Sequence, residues 1–195
     1  MHVTVLSSRF EEALIFAAQL HSAQTPKGTT IPYVAHLLAV TSLVITHGGD
    51  EDEAIAGLLH DAVEDQGGKA TLDIIRTRFG DRVPAIVDGC TDADVIPKPP
   101  WRVRKERYLM HLQSASPSVK LVAAADKLDN ARAIIADYRT HGAAIWARFN
   151  AGPEDQRWFY RVCVTALQNG PKCIVHELDA AVGQLEQLGL HAAGN

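Results

Sequence analysis

Residues 58–66 read LLHDAVEDQ and contain four side chains that suit metal binding and acid–base chemistry: His60, Asp61, Glu64 and Asp65. On a helix, Glu64 lies one turn after His60 and Asp65 one turn after Asp61, so two polar pairs stack along the axis. The segment follows the apolar run AIAGLL, and carboxylates without partners are costly at the end of a buried helix. A bound cation is the simplest compensation, so the pattern indicates a metal site.

Two further ligands are proposed from similar apolar surroundings. His36 interrupts the run YVAHLLAV, and Asp126 interrupts VKLVAAADKL. With His60 and Asp61 they make a set of two imidazoles and two carboxylates, a mixture that suits Mn²⁺, Fe²⁺ or Zn²⁺. The set contains no thiolate, which disfavours a closed structural zinc site. Asn130 lies one turn beyond Asp126 and is expected to point at the same site.

Each of these residues also has a purely structural interpretation. A single histidine on an apolar helix, such as His36, is often a hydrogen-bonded core residue, and Asp126 beside Lys127 is consistent with a partly buried ion pair. The dipeptide His60–Asp61 is common in proteins. The metal hypothesis therefore depends on the conjunction: three separate apolar segments each carry a ligand-type residue, and one of them adds two more carboxylates.

The elements that must position these residues are helices. Apolar residues recur at helical spacing over most of the chain, and no alternating pattern of useful length predicts a strand. Ser8 with Glu11, and Asp50 with Glu53, have the spacing of N-terminal capping boxes. A first helix is predicted behind Ser8, where apolar residues recur at helical spacing from Phe10 to Ala18. Further helices are predicted over residues 33–47, 54–65, 72–79, 82–90, 101–113 and 117–138, with two more within 150–195. We therefore expect an all-α bundle of about eight or more helices, forming a single domain over residues 1–195.

The overall composition excludes several classes of protein. The 195 residues are 47% hydrophobic and 22% charged, with a formal net charge of −4, as in ordinary globular domains. This acidic balance disfavours a nucleic-acid polymer as partner, because such binding needs a basic surface. The three cysteines form no C-x-x-C pair, which favours a reducing compartment. Neither a secretory signal nor a run long enough to cross a membrane is recognised. We expect a cytoplasmic protein without a membrane partner.

Two other features keep more than one interpretation. The segment 98–107, KPPWRVRKER, holds five basic residues and one glutamate. It is either a solvated helix face or a rim that attracts a polyanionic substrate to an acidic metal site. The aromatic residues towards the C-terminus are most simply interpreted as packing residues; they are Trp146, Phe149, Trp158, Phe159 and Tyr160.

The order His…His-Asp…Asp is the signature of the HD-domain metal-dependent phosphohydrolases. Within them, the chain resembles the hydrolase domain of the RelA/SpoT alarmone enzymes. HDAVEDQ and AADKLDNAR are similar to its HD-x-x-ED and D-K/R-x-x-N motifs. HSAQTPKGTTIPYVAH is similar to its H-x-G-Q-x-R-K…PYI-x-H segment, and RFGDRVPAIVDGCTD to the stretch after the HD motif. The resemblance covers about residues 10–140, and the chain length favours the small alarmone hydrolases that have no synthetase domain.

This resemblance implies an HD-domain fold and a role for each matching residue. Four side chains match the metal ligands of the family, whose usual ion is Mn²⁺: His36, His60, Asp61 and Asp126. Two match the pair that activates or positions the attacking water, Glu64 and Asp65. Two match residues beside the nucleotide, Lys27 and Asn130. The implied reaction removes the 3′-pyrophosphate from guanosine 3′,5′-bis(diphosphate) or a related alarmone.

The chain departs from the family pattern near the nucleotide. Pro26 stands where the family carries an arginine that stacks on guanine, and a proline supplies no planar cation. Ala133 replaces a common threonine. The base preference therefore stays open between guanosine and adenosine. Two alternatives also stay open: another HD phosphohydrolase, such as a nucleotidase or dNTP hydrolase, and a non-catalytic nucleotide or metal sensor. A sensor has no need of the Glu64–Asp65 pair, which disfavours the latter.

Overall fold

The computed structural model describes residues 4–93 and 97–188. Within these residues the chain forms ten α-helices, one 3₁₀ helix and no strand. The helices are α1 (Ser8–Leu20), α2 (Val34–Thr46), α3 (Glu51–Leu59), α4 (Ala62–Asp65), α5 (Lys69–Phe79), α6 (Arg82–Cys90), α7 (Trp101–Ser114), α8 (Pro117–His141), α9 (Pro153–Leu167) and α10 (Lys172–Gln187), with the 3₁₀ helix at Gly142–Arg148 between α8 and α9.

Local sequence determines several helix ends. Asp50 caps α3 as predicted, because its side chain accepts from the Glu53 backbone N–H and the Glu53 carboxylate accepts from the Asp50 N–H. The capping box predicted for α1 is wrong: the cap is Ser7 rather than Ser8, and its side chain accepts from the backbone N–H two residues on. The Ser7 N–H donates to Glu51 of α3, a tertiary partner that the local sequence does not reveal.

Helix α8 forms the centre of the fold. Ser116 caps it in front of Pro117, whose missing N–H is not needed in a first helical turn. Residues 119–126 are all buried, because α8 packs against α2, α3, α6, α9 and α10. Because neighbouring helices cover this part of α8 on every side, its polar residues are buried as well, and Asp126 lies inside the protein.

Helices α2 and α3 are joined by a short turn and pack closely. At Gly57 of α3, an added Cβ atom would lie 3.2 Å from Thr41 Oγ1 and 3.3 Å from Thr41 Cα, so a glycine permits the close approach of α3 to α2. Because the two helices form a hairpin, the first turn of α2 lies beside the end of α3. This arrangement brings His36 next to His60, with ring centroids 5.2 Å apart.

The prediction of an all-α fold with eight or more helices is confirmed. The prediction of one helix through residues 54–65 is wrong, because α3 ends at Leu59 and α4 begins at Ala62. In an uninterrupted helix the Gly57 carbonyl would accept the backbone N–H of Asp61. Here that carbonyl bonds instead to Nδ1 of the His60 imidazole at 2.9 Å. No helix of the described residues is long and apolar enough to cross a bilayer. That residues 1–195 form a single domain stays a prediction.

Candidate metal centre and active site

Three elements carry the four predicted metal ligands to one place. His36 lies in the first turn of α2, His60 and Asp61 occupy the link between α3 and α4, and Asp126 lies on the buried part of α8. His36, His60 and Asp126 each offer one ligand atom, and these atoms all lie within 4.8 Å of one another. His36 Nε2 is 3.4 Å from Asp126 Oδ1, and His60 Nε2 is 3.7 Å from the same oxygen.

Asp61 completes this cluster. Its Oδ2 lies 3.0 Å from His60 Nε2 and 3.7 Å from His36 Nε2. The Tyr33 hydroxyl donates to the same oxygen at 2.5 Å, which fixes the carboxylate from the side of α2. The interruption of the helix at His60–Asp61 lets these two neighbouring side chains face one centre.

The hydrogen bonds of both histidines suit a bound metal ion. His60 Nδ1 bonds to the Gly57 carbonyl, and His36 Nδ1 bonds to Asp129 Oδ2 at 2.7 Å. An Nδ1–H that donates outwards leaves Nε2 with its lone pair directed into the cluster, which is the usual arrangement of metal-binding imidazoles. His60 Nε2 is buried without a hydrogen-bond partner among the described residues. An unpartnered buried nitrogen beside two carboxylates fits a divalent cation.

The electrostatics of the cluster follow from opposite charges held out of water. Burial alone lowers the pKa of His36, but contacts with the carboxylates of Asp126 and Asp129 raise it to about 9. Burial raises the pKa of Asp61, yet the neighbouring His60 charge outweighs it and holds the pKa well below the usual range. These groups stabilise one another's charged forms, and a divalent cation can replace the protons on the imidazoles.

Lys127 sets the electrostatics of Asp126 from the opposite side. Its Nζ lies 2.5 Å from Asp126 Oδ2 and 5.3 Å from the centre of the Tyr108 ring. Although burial opposes ionisation, the Lys127 charge holds the pKa of Asp126 well below its usual value. The ion pair between Asp126 and Lys127, which the sequence offered as a structural alternative, is therefore present. It does not exclude the histidine contacts, because Oδ2 of Asp126 faces Lys127 while Oδ1 faces His36 and His60.

Glu64 and Asp65 differ in their surroundings although they are adjacent. Glu64 Oε1 lies 2.8 Å from Lys98 Nζ and 3.7 Å from an Arg104 nitrogen, so its carboxylate is paired with cations. Asp65 Oδ2 accepts a hydrogen bond from Gln24 at 2.7 Å. Partial burial and the nearby negative charge of Asp61 raise the pKa of Asp65 above its usual value. The raised pKa makes Asp65 a stronger base than an ordinary aspartate.

A cavity with a basic lining lies beside the cluster. One part, about 270 Å³, is lined by five cationic side chains, namely Lys27, Arg104, Lys105, Lys127 and Arg148. A second part, about 180 Å³, lies against Pro26, Ile134 and Phe149. Lys27 and Asn130 line both parts, and the Asn130 amide donates to Asp126 Oδ1. The two residues predicted to contact a nucleotide therefore lie together, next to a metal ligand.

The basic segment 98–107 divides between its two interpretations. Arg104 and Lys105 are only 11% and 16% exposed and both bond to Asp92 Oδ2, at 2.5 and 2.6 Å, while lining the cavity. Arg102, in contrast, is 47% exposed and pairs with Glu106 one turn on. One side of α7 is thus a solvated face, and the other places cationic side chains at the cavity. Phe149, interpreted from the sequence as a packing residue, also lines the cavity.

Sequence reasoning missed the residues that hold the ligands and the acid–base pair. Asp129 orients His36, and Gln24 orients Asp65 while its Oε1 lies 2.7 Å from His21 Nδ1. Asp129 had a usable signal, since it lies three residues after Asp126 on the same face of α8. Gln24 had a signal only in the resemblance, where it matches the glutamine of the H-x-G-Q-x-R-K segment; the spacing does not reveal its partner, which is 41 residues away.

The chain is similar in sequence to a known domain family and to several characterised proteins. The sequence profile of the HD domain matches residues 13–156. Guanosine-3′,5′-bis(diphosphate) 3′-pyrophosphohydrolase MESH1 of Xenopus tropicalis is 40% identical over 124 residues, which cover 62% of this chain. That alignment covers 66% of the relative, slightly less than two thirds of its length. The guanosine-3′,5′-bis(diphosphate) 3′-pyrophosphohydrolase of Aquifex aeolicus is 32% identical over 133 residues, 68% of this chain and 19% of the relative.

Solved structures resemble the whole architecture. A metazoan ortholog of SpoT, described as hydrolysing ppGpp and acting in starvation responses, superimposes with a TM-score of 0.76 at 28% identity. The match covers 93% of this chain and 97% of that one. A protein of Listeria monocytogenes gives a TM-score of 0.66 at 28% identity, over 77% of this chain and 96% of its own. With the profile matching most of its length and the His-His-Asp cluster in place, this chain belongs to the HD-domain family.

Proposed function

We propose that this protein is a metal-dependent nucleotide pyrophosphohydrolase that removes the 3′-pyrophosphate from guanosine 3′,5′-bis(diphosphate) (ppGpp) or its adenosine counterpart. The observation that carries this proposal is the direct contact between the metal-ligand cluster and the basic cavity, made through Asn130 and Asp126. A cation held by an acidic cluster acts on phosphoryl groups, and the lysines and Arg104 of the cavity wall select a substrate with several phosphates.

The residues proposed to hold the ion are His36, His60, Asp61 and Asp126, and the ion that we propose is Mn²⁺. Two imidazoles with carboxylate oxygens suit Mn²⁺, and the cluster contains no thiolate. When bound, such an ion supplies Lewis-acid chemistry that polarises phosphoryl oxygens and makes water more acidic. Asp129 and the Gly57 carbonyl hold the two imidazole rings in orientation through Nδ1.

The remaining groups divide the work on the substrate. Asp65 has a raised pKa and is held through one oxygen by Gln24, so we assign it the proton of the attacking water. Glu64 pairs with Lys98 and lies 3.7 Å from an Arg104 nitrogen, and it positions the charge of Arg104, which lines the cavity, for the phosphates. Lys27 and Lys105 balance the negative charge on the pyrophosphoryl group as it is transferred to water.

The proposed reaction is a hydrolysis with no other co-reactant. The water oxygen attacks the phosphorus attached to the 3′ oxygen, and its proton passes to Asp65. The bond between that phosphorus and the 3′ oxygen breaks, and the 3′ oxygen takes up a proton from solvent water as it leaves. Asp65 then returns its proton to the solvent. The products are a nucleoside 5′-diphosphate with a free 3′ hydroxyl and inorganic pyrophosphate.

Two further observations support this proposal. The relatives from Xenopus tropicalis and Aquifex aeolicus both carry the name of a ppGpp 3′-pyrophosphohydrolase. The three cysteines, Cys90, Cys163 and Cys173, are all free thiols, which suits the reducing cytoplasm that we propose as the site of action.

A substrate panel tests the proposed activity. Purified protein with Mn²⁺ is offered ppGpp, the adenosine analogue, a dNTP and a 5′-mononucleotide, and the products are separated by ion-exchange chromatography. We expect GDP and pyrophosphate in equal amounts from ppGpp. Turnover of the dNTP or the mononucleotide alone would assign the protein to another HD phosphohydrolase reaction. Nucleotide binding without any turnover would indicate a sensor.

A further inference from the structure

Arg148 lies at the end of the 3₁₀ helix and reaches back to the loop that carries Lys27. The closest point is Gly28, where an added Cβ atom would lie 2.8 Å from Arg148 Cδ and 3.0 Å from Nε. Gly28 also has φ +77°, a conformation that favours glycine. The loop is therefore shaped, both in backbone and in the lack of a side chain, to receive the Arg148 side chain.

Asp137 holds the other end of this side chain. Its Oδ2 lies 2.8 Å from an Arg148 terminal nitrogen, and the arginine is 25% exposed against 42% for the aspartate. Gly28 faces the Cγ, Cδ and Nε atoms of Arg148, and Asp137 accepts a hydrogen bond from the edge of its guanidinium group. A guanidinium restrained at its edge keeps its planar faces available, and such faces stack on aromatic rings.

The surroundings of Arg148 have the shape and chemistry of a base-binding pocket. Arg148 lines the smaller part of the cavity together with Pro26, Ile134 and Phe149, where apolar walls predominate. It also lines a separate groove beside Thr30 and Ile31, so its side chain forms a partition between the two spaces. The larger part of the cavity, with its additional lysines, is left for the phosphates.

We propose that Arg148, held by Asp137 against Gly28, is the residue that stacks on the purine base of the nucleotide. The proposal rests on the proposed function for the position of the phosphates, and it adds the recognition of the base. Pro26 lines the same pocket but offers no cation, so the planar charge comes from the 3₁₀ helix instead. Because stacking uses the face of the base rather than its edge, Arg148 accepts guanine and adenine alike.

Affinity for GDP, a product of the proposed reaction, tests this role without turnover. In titration calorimetry with Mn²⁺ present, Arg148→Ala is expected to weaken GDP binding by about five- to tenfold, the size of a cation–π contact. Arg148→Lys keeps the positive charge but lacks the planar guanidinium group, so its affinity for GDP is expected to fall as much as that of Arg148→Ala. Inorganic pyrophosphate, which has no base, is expected to bind all three proteins equally.

Two more variants complete the test. Arg139→Ala removes an arginine that bonds to Gln184 on another face, and is expected to leave GDP affinity unchanged. Pro26→Arg in the Arg148→Ala protein places a planar cation in the same pocket and is expected to restore part of the affinity. Thermal melting of each variant verifies that the fold is kept, and Arg148→Lys serves if Arg148→Ala is unstable.

Opposite outcomes would overturn the inference. Full GDP affinity in Arg148→Lys, or an equal loss for GDP and pyrophosphate in Arg148→Ala, would make Arg148 a phosphate contact only. If the wild-type protein hydrolyses ppGpp and Arg148→Ala keeps the wild-type affinity for GDP, this inference is contradicted and the proposed function is not. A protein that binds GDP through Arg148 but does not hydrolyse ppGpp contradicts the proposed function and leaves the inference standing.

Discussion

Asp129 accepts a hydrogen bond from Nδ1 of His36 at 2.7 Å, so a carboxylate on α8 orients an imidazole on α2 whose other nitrogen faces the metal-ligand cluster. The two residues are 93 positions apart in the sequence. Such outer carboxylates fix the ring orientation and strengthen the imidazole as a ligand. The pair therefore links the central helix directly to the candidate metal centre.

Asp129→Ala is expected to weaken Mn²⁺ binding by about ten- to a hundredfold, the range typical of outer carboxylates. A competition titration against a chromophoric chelator measures this affinity. Asp73→Asn, at an exposed position on α5 that pairs with Arg76, is the matched control and should leave the affinity unchanged. An Asp129→Ala protein with wild-type affinity would mean that His36 needs no orienting partner.

Gln24→Ala is expected to change the pH dependence of catalysis. The Gln24 amide donates to Asp65 and lowers its pKa, against the raising effect of burial and of Asp61. Without this bond the pKa of Asp65 rises further. Since a base acts only when deprotonated, the acid limb of the kcat profile moves to higher pH, and the rate falls most at low pH.

Asp65→Asn tests directly whether Asp65 is the base. This variant should lose about a hundredfold or more in kcat while it keeps its metal, because an amide accepts no proton at these pH values. Glu64→Gln should also lower kcat without emptying the metal site. If either variant lost its metal with no separate effect on rate, that residue would be a ligand instead.

Asp92→Asn is expected to destabilise the protein by about 3 kcal/mol, because it breaks a buried ion-pair network. Asp92 is 5% exposed and bonds to both Arg104 and Lys105, so its loss leaves two cations close together without their shared partner. Urea unfolding followed by circular dichroism measures the change. The exposed Asp73→Asn should shift the free energy of unfolding by less than about 0.5 kcal/mol. An equally small shift for Asp92→Asn would show that the cations are hydrated.

Discrimination between the guanosine and adenosine substrates is expected to be less than about tenfold in kcat/KM. A cation stacked on the base reads the π face that both purines share, and tenfold corresponds to only about 1.4 kcal/mol. Steady-state kinetics on ppGpp and its adenosine analogue give the ratio. A preference of several hundredfold for guanosine would mean that hydrogen bonds to the base edge decide the choice.

The sequence was sufficient to predict that the polar side chains of separate apolar helices meet at one place, because such side chains are costly to bury unless they share a charge. That they hold a metal ion stays a prediction. His36 and Asp126 each stood out in this way, and the structure brings them together with His60. The break in the helix at Asp61 was not predictable from periodicity, since it arises when the His60 imidazole takes up a backbone carbonyl.

The nucleotide side of the cavity was less predictable. Lys27 and Asn130 were identified by resemblance and both line it. Arg148 and Gly28 are far apart in the sequence but lie close together in the structure. No sequence pattern around either residue predicts this contact. Contacts of this kind depend on how α8 and the 3₁₀ helix pack, which local spacing does not encode.

The release of pyrophosphate from ppGpp, before and after removal of metal, tests the central claim most directly. We predict that the wild-type protein loses its activity in a chelator and regains it when Mn²⁺ is added. Asp61→Ala should remain inactive in both conditions and bind no stoichiometric ion. Undiminished pyrophosphate release in the chelator, or from Asp61→Ala, would contradict a metal-dependent hydrolase built on this cluster.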